Sequence, residues 1–255
     1  VSSVRRRSNR ALRARGDTVT PPPIDMQRAV VRKRAAARGV PLVTPDSVAP
    51  LREATAATVA LVTHRTYAEV RAGVSFYVPR LVGDALGLLP SSVRDVLSVA
   101  GISVSDHGLT LLCDAAWERT PCATWAHECG HHQQDDAVRA SGVIGSALWG
   151  VGYLTHPSIR GWDEGRCRVS DFVGLVVLNG WSIDDALKAA ADGAALYDLN
   201  DPARDVYIAS LQSAADSLRA GVMPGEGTEI HETLRELVRE GWDAGEWAKA
   251  IGVPA

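Results

Sequence analysis

The chain has 255 residues, of which 46% are hydrophobic and 22% charged, enough for one sizeable domain with a real core and too apolar for a disordered polyanion. Its formal net charge of -3 argues against a uniformly basic nucleic-acid binder, and four Cys without a CxxC pair exclude a disulfide-dense secreted scaffold. The charge is unevenly placed: residues 1–40 carry eleven Lys/Arg against Asp17 and Asp25, a local +9, which leaves -12 on the remainder.

Residues 1–45 are therefore expected to be a basic, flexible arm. Its twin arginine in "RRRSN" is not followed by an apolar region, so no export signal is expected. The prolines at 21–23 favour an extended connector, and 26–38 can form a basic helix. The arm suggests contact with nucleic acid or another polyanion through residues 1–40, set against the plainer reading of a solvated tail.

The body is expected to begin near Pro45 and run through 46–255. "TPDSVAPLREATAATVALV" opens a helix with Asp46 or Ser47 as its cap, and helical stretches follow over 65–88 and 91–99. "GISVSDHGLTLLCD" changes character: β-type runs at 102–104 and 109–113 flank a turn that contains His107. A hairpin or edge strand there could receive an extended peptide by strand addition. Thr120 and Pro121 then suit the start of a helix that nothing except Gly130 interrupts until Ser141. Further helices are expected at 163–178, 182–192, 202–219 and 228–250. No apolar run is long enough for a membrane span, and a cytoplasmic location is expected. The fold class read from this pattern is α+β, mainly helical.

Residues 127–131 read His-Glu-Cys-Gly-His, an HExxH pattern inside that uninterrupted helix. Residues i and i+4 lie about 40° apart around a helix, so His127 and His131 project from one face. Two imidazoles so placed can both reach a zinc ion. Glu128, about 100° away, is close without competing as a ligand, where a general base for a metal-activated water belongs. A zinc site needs a third protein ligand. The extended HExxHxxGxxH pattern does not supply it, because Gln134 and Ala137 stand where Gly and His would be. The following helix offers Glu164 first, with Cys167 and Asp171 as rivals; Glu164, Cys167, Arg168 and Asp171 share one helical face. His156, Tyr153, Arg160, Tyr197 and His231 are open as donors to an oxyanion. The tryptophans around these helices, Trp117, Trp125, Trp149, Trp162 and Trp181, are expected in the core.

"TWAHECGHHQQ" followed by "YLTHPSIRGWDEGRCRVSDF" resembles the gluzincin-type zinc metallopeptidases over about residues 100–180. In these an HExGH helix is followed by a helix carrying Glu-x-x-Ala, here Glu164 to Cys167. The resemblance implies a zincin-like core: the HExxH helix, a small β element before it and a Glu-bearing helix after it. It implies Zn2+ held by His127, His131 and Glu164, with Glu128 catalytic, in a hydrolase that cleaves peptide or protein substrates. This chain has Arg168 where many relatives have Asp or Asn. A catalytically inactive zinc-binding domain and a nucleic-acid-associated scaffold are the alternative readings.

Overall fold

The structure, a computed structural model, describes residues 20–47, 49–63, 75–78, 109–197, 199–224, 228–245 and 247. Among the described residues it is mainly helical, with one small three-stranded sheet. The expected helix at 91–99, the run at 102–104, His107 and the first nineteen residues lie outside the described residues.

Helix α1, Ile24–Arg38, ends at Gly39, whose φ of 64° is left-handed and lets its N–H return to the carbonyls of Ala35 and Ala36. Its Val30, Val31 and Ala35 are buried in the core of the molecule. The packed chain thus starts well before Pro45, and the arm boundary expected at 45 cuts through it. The reason is charge pairing. Arg34 and Arg38 bind the buried Glu229 (2.8 and 3.1 Å), Lys33 meets Glu236 and Glu240, and Arg32 pairs with Asp46. Arg28 and Arg32 also lie over the Trp117 ring.

Strand β1, Leu42–Val43, is followed by helix α2, Ala49–Thr63, and strand β2, Phe76–Val78. β2 falls inside the span expected to be helical. The β-branched and aromatic run "FYV" ends at Pro79, a setting that favours extended backbone. Strand β3, Leu109–Leu111, lies in the middle of the sheet, parallel to β1 and antiparallel to β2. Both its edges are occupied, so β3 is not the edge strand expected to accept a peptide.

Helix α3, Asp114–Arg119, is capped by Cys113, whose Sγ accepts from the Ala116 N–H. Helix α4, Pro121–Ala140, carries the HExxH residues, and its buried His132 ring bonds the Thr110 hydroxyl of β3 at 2.9 Å. Helix α5, Gly142–Thr155, covers a span to which the sequence pattern assigned no helix. It turns Ile144, Leu148 and Val151 to solvent. Helix α6 runs Pro157–Val177, six residues longer at its start than expected, because Pro157 occupies the first helical position, where the missing N–H costs nothing.

Helix α7, Ile183–Asp192, starts where Ser182 accepts from the Asp185 N–H, and a 3-10 turn, Gly193–Tyr197, follows it. Helix α8, Asp201–Arg219, is capped by Asn200, and helix α9, Glu229–Arg239, ends well before the expected 250. The core joins Trp117, Trp125, Phe172, Tyr207, Leu211, Ile230 and Leu234 with the apolar face of α1. Trp162 and Trp181, expected in the core, are 40% and 46% exposed.

Helix α6 lies between α4 and α8 and approaches both closely. A Cβ on Gly161 would sit on the carbonyl oxygen of Ala203, and one on Gly165 would lie 2.9 Å from the Tyr207 Cα, so these two glycines bring α6 against the α8 backbone. On the α4 side, a Cβ on Gly130 would lie 2.6 Å from the Cys167 Sγ. These contacts set the distance between the HExxH helix and the helix that follows it. No described helix is long and apolar enough to cross a membrane.

Candidate metal centre

His127 and His131 stand one turn apart on α4, with ring centroids 5.2 Å apart in an edge-to-face arrangement. Their Nε2 atoms face the same carboxylate oxygen of α6: Glu164 Oε2 is 3.8 Å from His127 Nε2 and 3.6 Å from His131 Nε2. Glu164 is 4% exposed, and this oxygen has no hydrogen-bond partner. A buried anionic oxygen without a hydrogen-bond partner is costly, and a water or an ion could supply one. The three ligand atoms lie within 4.8 Å of one another, so the group could hold a metal ion. The other Glu164 oxygen accepts a short hydrogen bond from the Tyr153 hydroxyl on α5.

Each imidazole has a carboxylate behind it. His131 Nδ1 is 3.1 Å from Asp163 Oδ2, and His127 Nδ1 is 2.7 Å from Asp171 Oδ2. The second approach lies off the ring N–H axis and is a charge contact more than an aligned hydrogen bond. Arg168 bonds Asp171 at 3.0 Å from the far side. With Nδ1 turned to a carboxylate, a neutral imidazole directs its Nε2 lone pair at the common point beside Glu164, the arrangement that orients metal-binding histidines generally.

The groups also couple through charge. Burial alone would raise the Glu164 carboxyl, but the charges of His131 and His127 and the Tyr153 hydroxyl overcome it and hold the group at about 2. Burial would lower both histidines; Asp171 and Glu128 raise His127 instead, and Cys167, Glu164 and Asp163 hold His131 well above its ordinary value. Burial would raise Asp171, which His127 and Arg168 nevertheless keep low. Glu128, 4% exposed, is pushed up by burial against the pull of both imidazoles.

The structure thus brings together His127, Glu128, His131 and Glu164 and separates the two rivals for the third place. Cys167 Sγ lies 3.5 Å from His131 Nδ1, on the side of the ring away from Glu164, and Asp171 faces His127 Nδ1. Arg168, out of place in the sequence pattern, is the partner of Asp171. Asp163 was missed by sequence reasoning, and Tyr153 was considered only as an oxyanion donor. Their signal was faint: an acid beside Glu164, and a Tyr eleven residues before it that matters only once α5 and α6 pack. Among the other donors considered, His156 is exposed at the junction of α5 and α6, and His231 is buried on α9. Comparison with known proteins finds no matching family model, no similar curated protein and no similar solved structure.

Proposed function

We propose that the protein is a zinc-dependent hydrolase, a metallopeptidase of the gluzincin type, acting on peptide or protein substrates. The observation that carries the reading is the partnerless Glu164 Oε2, buried and faced by two imidazole nitrogens. Among common metals, a site of two imidazoles and one carboxylate suits zinc. His127, His131 and Glu164 would hold the ion, and when bound it would supply Lewis-acid polarisation and a more acidic water.

The chain's own residues do the rest. Asp163 and Asp171 fix the ring orientations and enrich the donor nitrogens. Arg168 locks Asp171, and Tyr153 keeps one Glu164 oxygen occupied so that the other is presented singly. Glu128, its carboxyl raised by burial, takes the proton of the attacking water and returns it to the leaving amine, closing the balance of one water added per peptide bond cleaved. Polyanion contact through the arm rests on Arg5 to Arg15, outside the described residues, since the arginines of α1 are spent within the fold.

The test joins elemental analysis to hydrolysis of an unstructured protein substrate. Purified protein is expected to carry one zinc, which His127→Ala loses together with activity. Glu128→Gln is expected to keep the zinc and lose at least about 100-fold in kcat. Full zinc with no chelator-sensitive hydrolysis in the unaltered chain would favour the inactive zinc-binding domain; unchanged turnover in Glu128→Gln would refute the mechanism.

A further inference from the structure

The far side of the His131 ring holds a second set of donors. His131 Nδ1 is 3.1 Å from Asp163 Oδ2 and 3.5 Å from Cys167 Sγ, and the three atoms lie within 4.8 Å of one another. Around a tetrahedral ion with the usual bond lengths, nitrogen and sulfur stand about 3.6 Å apart and nitrogen and oxygen about 3.3 Å. The two separations from His131 Nδ1 differ from these by a few tenths of an ångström.

The surroundings hold them there. Asp163 and Cys167 occupy successive turns of α6, and His131 comes from α4. Asp163 is 3% exposed and its Oδ1 has no partner, so the carboxylate retains an unused oxygen in the interior. Cys167 is 2% exposed, forms no disulfide, and is pressed against Gly130.

We propose that Asp163, Cys167 and His131 Nδ1 form a second metal position, selective for thiophilic divalent ions such as Cd2+. A thiolate adds the softness that the His127–His131–Glu164 set lacks. Binding releases the thiol proton to solvent. The two positions compete, because a neutral imidazole has one lone pair: an ion on Nδ1 places the ring proton on Nε2, facing Glu164. A soft ion at this position therefore takes both the nitrogen and the supporting carboxylate of the first.

The position requires neither His127 nor Glu164, which separates its fate from that of the proposed function. Cd2+ is titrated into the full-length metal-free protein and followed by near-ultraviolet thiolate-to-metal charge-transfer absorption. The band is expected at one equivalent in the unaltered chain, in His127→Ala and in Glu164→Gln. It is expected to vanish in Cys167→Ser, and Asp163→Asn should weaken Cd2+ binding tenfold or more. An unchanged circular dichroism spectrum and thermal transition show that Cys167→Ser is folded. With both ions supplied, the total is expected to stay at one per chain. A band that persists in Cys167→Ser or is lost in His127→Ala, or two ions bound together, would overturn the proposal.

Discussion

At the scale of single residues, the site is a balance of charge that a cation would complete. In the metal-free chain two imidazoles stand among Glu128, Asp163, Glu164 and Asp171, and protons on the imidazoles hold the cluster together. His131 sits well above 6.5 and His127 above it. A group so raised contributes stability in full below its unfolded value and loses it as pH rises through the folded one. Glu128, raised from 4.5, acts in the same direction. Glu164, held at about 2, works oppositely: its contribution is present above 4.5 and lost as pH falls toward its folded value. The metal-free protein should therefore lose stability as pH rises above the histidine range. The zinc-loaded protein should hold or gain stability there, because the ion replaces the departing protons and binds the freed lone pairs more tightly. Thermal unfolding with and without chelator, between about pH 6 and 9, checks this; parallel pH profiles would contradict the charge balance.

At the scale of elements, the glycines of α6 matter as much as the candidate ligands. Replacing a helical Gly by Ala ordinarily gains up to about 1 kcal/mol. At Gly161 the new methyl would meet the Ala203 carbonyl, a backbone atom that cannot rotate aside. Overpacking of this kind costs roughly 1–3 kcal/mol, so the clash outweighs the propensity gain. Gly161→Ala is expected to destabilise the protein by about 1–2 kcal/mol and to lower metal affinity by shifting α6 against α4. Chemical denaturation and chelator competition would show it; a stabilised variant would place α8 further from α6. The same helix shows where sequence reading stops. The i, i+4 spacing of His127 and His131 was legible because it depends on one helix alone. Glu164 was legible as the leading choice, though Cys167 and Asp171 on the same face could not be separated from it. What separates them is the side of each imidazole that they meet, which is set by the crossing of α4 and α6. The early start of α6 was hidden because Pro and Gly in "HPSIRGW" read as loop punctuation, whereas the one sits at the helix start and the other against a neighbouring backbone.

At the scale of the whole molecule, α1 closes the fold through Glu229. This carboxylate is 2% exposed, receives Arg34 and Arg38 from α1, and accepts from the Trp125 indole N–H of α4 at 3.0 Å. Trp125 lies two residues before His127, so one buried charge ties the N-terminal helix, the HExxH helix and α9 together. Local sequence could not reveal this, since the partners are 191 and 195 residues apart, and eleven cations in the first forty residues read as an arm. Breaking a buried ion pair from one side costs roughly 3–5 kcal/mol. Arg34 and Arg38 retain 19% and 25% exposure, so part of their hydration is recovered when the carboxylate is removed. Glu229→Ala is thus expected to cost about 2–4 kcal/mol, several degrees in Tm for a chain of this size. If Glu229→Ala melts with the unaltered chain, α1 is not part of the folded unit. If it melts early yet binds zinc with unchanged affinity, the Trp125 link does not reach the candidate metal centre. The expected result is a lower Tm together with weakened zinc binding.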